Sequence, residues 1–464
     1  MRLSTIMGLI KEYLPLGIIV SVMLVLFFLF GWLVVYKKIF KGKKVLNRKM
    51  LILSLVFIGY FFVVAVAVFL NRYSGPRSMN LHLFSTYRAA WNVFSSYEWR
   101  NIILNILLFL PLGILLPIGS DRFKKLWKTV LAGFGMTLAI ELIQRFTGRG
   151  VFDVDDIFNN TLGTLIGYGL IMAVFTLKGA KKKKALKAAA YALPFLAVLI
   201  AFSAVFIAYR LHEFGNLAEA SRYTIPMNNV ELTSNVLFSE KEESKKVYYS
   251  EPARPNETLA FAQAFFKNFK TDVDESKTDS YEDTVIYQST AKRLSLWVNY
   301  KGKTYSFNDL SADGSIDDRN PDENSVRLAL TRLGVSVPDN AKYSLGENNT
   351  PLFTANMLDK GDALFNGTLR CRYCTDGTIR QITNSIIAYT PVKECPVISQ
   401  AEAYEKIKSG NFSYYSQNRL DSIEINRVEL LYRMDSKGYF QPAYLFTGLL
   451  NGEGSAILIP ALRR

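Results

Sequence analysis

The 464-residue chain carries 55 Lys+Arg against 40 Asp+Glu, a net charge of +15, and half of its residues are hydrophobic. The average hides two unlike halves: residues 1–209 hold 25 basic and 7 acidic side chains, and residues 210–464 hold 30 and 33. In the first half the basic residues form short clusters between long apolar runs, which excludes a soluble nucleic-acid binder and marks a membrane protein whose first partner is the lipid bilayer.

Crossing a hydrocarbon core of about 30 Å takes about 20 mostly apolar residues. Six runs qualify: 14–36, 51–70, 102–119, 126–146, 157–177 and 189–209. The first is long and has no small-residue cleavage site, so it reads as a retained helix and not as a removable signal. The fourth contains Glu141 and Gln144. Segment 37–49 has seven basic residues and no acid, 121–128 has four and one, and 178–187 has six and none. Positively charged short loops stay on the cytoplasmic side, so these alternate loops read as cytoplasmic and both the N-terminus and the C-terminal half as outside. The intervening loops, 71–100 and 147–156, carry Glu98, Asp153, Asp155 and Asp156.

Residues 213–464 contain no span and have length enough for one or two cores. Helical periodicity falls at 257–269, 323–333 and 399–408, the last with Ser399 and Glu402 spaced as a capping box. Alternating stretches fall at 284–290, 293–300, 368–371, 378–389, 427–433 and 443–449, and Lys301-Gly302-Lys303 reads as the turn of a hairpin. The expected fold class is an α-helical polytopic membrane bundle of about six helices followed by an extracytoplasmic α+β domain. The expected parts are an N-terminal helix with its basic loop (1–50), a membrane domain (51–178), a basic loop and last span (179–212), and the outer domain (213–464) with one or two subdomains. A helix followed by a long hairpin ending in Pro442-Ala443-Tyr444-Leu445-Phe446 resembles PepSY-like and YycI-like extracytoplasmic modules. That resemblance implies a signalling accessory role beside another membrane protein.

Cys371, Cys374 and Cys395 all fall in this half, where an external compartment permits one disulfide and leaves one cysteine over. Cys371-Arg372-Tyr373-Cys374 has the spacing of a redox or zinc half-motif, but no second pair and no neighbouring His accompany it. A structural role is the stronger reading, and no metal or cofactor is expected.

The polar residues of the spans carry the functional signal. Asn101 and Asn105 lie one turn apart; Gly133, Thr137, Glu141 and Arg145 recur every four residues with Gln144 beside them; Asp156, Asn160, Gly163 and Gly167 form one stripe spaced 4, 3 and 4. Gly133, Gly163 and Gly167 read as helix-packing positions. At about 1.5 Å per residue, Asn105 and Asn160 lie about 6 Å below the outer span ends, and Glu141 rises about 22 Å from the opposite side. One layer thus receives Asn105, Glu141, Gln144 and Asn160, with Arg145, Arg149, Asp153, Asp155 and Asp156 above it. A lone carboxylate in hydrocarbon is costly, so Glu141 needs a partner, for which Arg145, Arg149, Asn105 and Asn160 are candidates. The layer reads either as interhelical glue or as a pocket for a substrate head group.

The runs Asn105-Ile106-Leu107-Leu108-Phe109-Leu110-Pro111-Leu112-Gly113, Glu141-Leu142-Ile143-Gln144-Arg145-Phe146, Arg149, and Asp153-Val154-Asp155-Asp156-Ile157-Phe158-Asn159-Asn160-Thr161-Leu162-Gly163 resemble the VanZ-like family over roughly residues 55–175. That resemblance implies lowered susceptibility to glycopeptide antibiotics, teicoplanin above all, at the surface of Gram-positive bacteria. The partners in view are a cell-wall precursor, a lipid head group or the glycopeptide. Binding is favoured over catalysis: carboxylates and arginines could act on a lipid-linked substrate, but the cluster has no His. A transporter ranks last, since no inverted repeat relates 14–119 to 126–209.

Overall fold

In a computed structural model, residues 48–70, 78–177, 182–281, 283–311, 321–414, 416 and 419–463 are described. The first apolar run, 14–36, and nearly all of the basic segment 37–49 lie outside the described residues.

The membrane half is helical. Helix α1 (Arg48–Ala65) runs on into a π-helical turn, and a short strand β1 (Met79–Asn80) precedes the nine-residue helix α2 (Ser85–Val93). Helices α3 (Ser96–Gly119) and α4 (Leu126–Thr147) follow, joined by a tight 3-10 turn at Asp121–Lys124. Strand β2 (Phe152–Asp153) then leads into α5 (Val154–Leu177), and α6 (Lys182–Leu211) closes the half. Among the described residues five stretches are long and apolar enough to cross a membrane: Leu51–Val68, Tyr97–Gly119, Leu126–Thr147, Val154–Leu177 and Lys184–Leu211. They match the second to sixth apolar runs, with earlier starts for the third, fifth and sixth.

Two of these earlier starts have a local cause. The Ser95 side chain accepts the Glu98 peptide N–H at 3.3 Å and caps α3. In α5 the first turn takes in Asp155 and Asp156, where carboxylates favour the positive end of the helix dipole. Helix α4 stops at Gly148, whose φ of 68° suits glycine, while the Arg149 N–H returns to the Gln144 carbonyl at 3.0 Å. Helix α2 falls inside what the sequence presents as a plain loop.

Small residues bring the helices together. A Cβ on Gly163 would lie 2.0 Å from the Ile106 carbonyl oxygen, and one on Gly167 2.1 Å from that of Leu110, so α5 runs backbone to backbone with α3. Gly133 of α4 leaves room for the Thr164 side chain. Dispersion and close packing hold such helices, since lipid tails are as apolar as leucine. On α6, Phe202, Phe206 and Tyr209 meet Trp99 and Phe94.

The C-terminal half is a helix-bearing sheet. After β3 (Glu231–Ser234) and β4 (Glu243–Tyr249) come α7 (Pro255–Lys267), β5 (Asp279–Ser280), β6 (Thr284–Gln288), β7 (Leu294–Asn299) and β8 (Tyr305–Asp309). Next are α8 (Glu323–Arg332), β9 (Lys342–Leu345), β10 (Pro351–Lys360), β11 (Ala363–Tyr373), β12 (Ile379–Asn384) and β13 (Ile387–Val397). Last come α9 (Gln400–Lys408), β14 (Ser422–Met434), β15 (Tyr439–Leu450) and β16 (Glu453–Pro460). Strands pair in the order β3-β14-β15-β4-β13-β11-β12-β8-β7-β6-β5, with β16 on β15 and β10 between β11 and β9. The hairpin turning at Lys301-Gly302-Lys303 is β7–β8, with Leu294 opposite Asp309. The stretch 378–389, continuous by its alternation, splits into β12 and β13.

Buried clusters lie along this sheet. Phe266 of α7 and Leu330 of α8 pack with Leu296, Phe307, Phe353 and Leu369. Ile407 of α9 packs with Val247, Val397, Ile425, Phe446 and Ile457. Each large side chain of this kind contributes about 1.5–3 kcal/mol when fully buried.

Candidate functional site

The polar residues of the spans collect at the bundle end formed by the start of α3, the end of α4 and the start of α5. Glu141 is buried, and its Oε2 accepts the Asp153 peptide N–H at 3.0 Å. Strand β2 places Asp153 there and pairs in parallel with β1, whose Asn80 donates from Nδ2 to Asp153 at 3.0 Å. Burial pushes the Asp153 carboxyl above the usual carboxylate range, against the bonds from Asn80 and from the Asp155 peptide.

Asp155 is fully buried and accepts the peptide N–H groups of Phe84 (2.5 Å) and Thr86 (2.8 Å), with the Ser85 hydroxyl at 3.4 Å. Phe84 stands at the N-terminus of α2 with φ 66° and no capping side chain of its own. Left-handed backbone costs a non-glycine residue on the order of 1–3 kcal/mol and persists only where its surroundings enforce it. Asp155 supplies that enforcement, acting as the cap of a helix 70 residues earlier in the chain.

Below this rim the amides engage. Asn105 Nδ2 donates to half-buried Asp156 at 2.5 Å, Asn160 Nδ2 to the Thr137 hydroxyl at 2.8 Å, and Gln144 Nε2 to the Val68 carbonyl at 3.4 Å. Asn159, fully buried, accepts the Tyr87 hydroxyl of α2. Three atoms of these buried side chains have no hydrogen-bond partner among the described residues: Gln144 Oε1, Asn159 Nδ2 and Asn160 Oδ1. In a bilayer no water reaches such groups from the lipid side, so open valences of this kind are costly unless something fills them.

The expected pairing of Glu141 is corrected. Among the described residues no ion pair joins it to Arg145 or Arg149, Asn105 is engaged by Asp156, and Asn160 by Thr137. Arg145 is half-buried and Arg149 exposed. The turn after α4 brings the Asp153 peptide N–H to Glu141. Sequence reasoning brought Asn105, Glu141, Gln144, Asp153, Asp155, Asp156 and Asn160 to this end of the bundle. It missed Asn80 of β1 and Tyr87 of α2, in a stretch with no periodic signal in the sequence, and Asn159, which stands inside the quoted motif.

Elsewhere, no disulfide joins Cys371, Cys374 and Cys395, all of them buried. Burial pushes the Cys371 thiol up to about 12, which leaves almost no thiolate at neutral pH. Among the described residues no group of three or more His, Cys, Asp and Glu could hold a metal ion.

Several helices long and apolar enough to cross a bilayer, with buried acid and amide side chains at one end, mark a membrane protein. The family model VanZ/LLP1 matches residues 18–176. The match takes in the first apolar run and ends before α6 and the C-terminal half. No curated protein matches the chain.

Proposed function

We propose that the membrane half acts at the bacterial cell surface on susceptibility to glycopeptide antibiotics, teicoplanin above all, or on the handling of cell-envelope precursors. It does so by holding a polar group in the layer around Glu141. One observation carries this reading: Gln144, Asn159 and Asn160 are buried, yet each keeps a hydrogen-bonding atom open. A layer serving only as glue would close its valences, as the pairs Asn105–Asp156 and Asn80–Asp153 do. Amides and carboxylates suit recognition of a cell-wall precursor, a lipid head group or the glycopeptide. The basic loops 37–49, 121–128 and 178–187 favour an orientation with this layer toward the outer face and the C-terminal half outside.

The test is teicoplanin susceptibility of a sensitive Gram-positive host carrying this protein, beside the same host carrying Glu141→Gln at matched membrane levels. Protection by the wild type that disappears in the variant is the expected result. Equal protection from both would remove the layer from the function, and loss of the variant from the membrane would assign Glu141 to stability. A second reading makes the C-terminal half an envelope sensor. It is favoured by the buried clusters of its own that this half carries around Phe266 and Ile407. Expressing residues 215–464 alone tests it, since an unfolded product would exclude an autonomous sensor.

A further inference from the structure

The connections that surround the polar layer carry the wrong surface for water. Leu81 and Leu83 are 58% and 53% exposed, Met79 and Phe84 are also exposed, and all four flank Asn80 and Asp155's peptide contacts. Across the same end, Phe146 is 71% exposed in the last turn of α4, and Val151 is exposed beside β2. At the other end of α4 the turn itself exposes Asp121, Arg122, Lys124 and Lys125 and half-buries Phe123, and exposed apolar side chains, Leu126 and Trp127, begin only with the helix. Two connections of one bundle therefore face two different surroundings.

The apolar connection is also a built one. Phe84 is held in left-handed backbone by the Asp155 carboxylate, and its ring meets Phe158 at 5.3 Å and Tyr87 at 5.8 Å, edge to face. A buried charge is thus used to hold a loop that presents leucines and aromatics outward. Such side chains at a span end are at home among head groups and upper acyl chains, where apolar bodies leave water and backbone polar groups can still find it.

We infer that residues 79–84 and the flanks of the α4–β2 connection form an apolar rim seated in the bilayer interface, so that the polar layer beneath is reached from the lipid phase. Its ligand is then an amphiphile, a polar head on an apolar anchor, and not a freely dissolved molecule. Seating of the rim stands by itself, and only the nature of the ligand rests on the use proposed for the layer.

The full chain is placed in phosphatidylcholine and phosphatidylglycerol vesicles with an environment-sensitive fluorophore on Leu83→Cys, and on Lys124→Cys as the comparison. Protein without an introduced cysteine gives the background from Cys371, Cys374 and Cys395, which are buried. The Leu83→Cys label is expected to emit at shorter wavelength and to be quenched several-fold more by lipids bearing a shallow nitroxide. Aqueous iodide should quench it several-fold less. Water-like emission with iodide quenching equal to that at Lys124→Cys overturns the proposal. Short-wavelength emission that ignores the lipid nitroxide also overturns it, because the rim would then be covered by protein, such as a second copy. None of these readings depends on an antibiotic, so failure of the glycopeptide role and failure of the rim are told apart. For the ligand, Leu83→Asp at unchanged membrane level is expected to lose teicoplanin protection where Lys124→Ala keeps it; equal protection overturns lipid-phase entry.

Discussion

Both halves of the molecule bury an aspartate among peptide N–H groups, and they differ in what surrounds it. Asp155 in the membrane half takes the N–H groups of Phe84 and Thr86. Asp435 in the C-terminal half takes those of Gly215, Lys437 and Tyr439, with the Gln441 side chain beside them. Around Asp435 every polar neighbour is engaged. Around Asp155 the neighbouring amides are not: of seven buried side-chain atoms without a partner among the described residues, six belong to the membrane half and one, Arg380 Nε, to the C-terminal half. Low-dielectric surroundings make open valences most costly where they are concentrated here. A node that only organises chain closes its bonds; the open ones near Asp155 are those that the proposed binding role would use.

The sharpest way to break this comparison is to remove the membrane node. Asp155→Ala strips two charge-assisted bonds from peptide groups and frees the strained Phe84, at a cost of about 3–5 kcal/mol on hydrogen bonds to charged groups. Thermal unfolding in detergent should show a large drop, accompanied by faster hydrogen exchange over residues 84–90. An unchanged transition would mean that α2 holds without its distant cap. A smaller effect is expected from Gly163→Ala, whose new methyl would meet the Ile106 carbonyl at 2.0 Å, and overpacking of this kind costs about 1–3 kcal/mol. Gly135→Ala is the matched control, since nothing lies within 4 Å of a Cβ there and the helix gains propensity. Equal melting of the two variants would sink the account of α3–α5 packing.

How much of this was legible in the sequence differs by region for physical reasons. Five spans could be read because hydrocarbon demands long apolar runs, and the polar layer because Glu141 and Asn160 stand out against them. The partners could not be read. Glu141 meets a peptide N–H, which has no sequence signature, and Asp155 caps a helix about 70 residues away. Helix α2 has no capping side chain of its own and is too short to announce itself by period. In the C-terminal half α9 was legible through its Ser399 and Glu402 box, which forms with bonds of 3.1 and 2.8 Å. Strands β4, β10 and β16 were not, since strand pairing is decided by residues far apart in sequence. The break between β12 and β13 lies at a contact from β11: Gly367, φ 130°, stands so close to the Ser385 carbonyl that a Cβ would be 2.1 Å away.

The smallest expected effect tests the C-terminal node by pH. Burial pushes the Asp435 carboxyl above its ordinary value, only partly offset by the donors of Tyr439, Lys437, Gln441 and Gly215. The folded state then holds a proton more tightly than the unfolded chain, so this group's contribution to stability is fully present below the ordinary carboxyl value of about 4 and declines as pH rises through the folded value. Lys437, whose ammonium burial disfavours, and Tyr249 share that environment, but both titrate far above this window. Exchange protection at Gly215, Lys437 and Tyr439, corrected for the intrinsic rate, should therefore decrease from pH 4 upward in the wild type, and Asp435→Asn should remove that slope along with some of the protection. Protection that rises over the same range would mean that the peptide donors outweigh burial, and that Asp435 is held as a carboxylate by its cage.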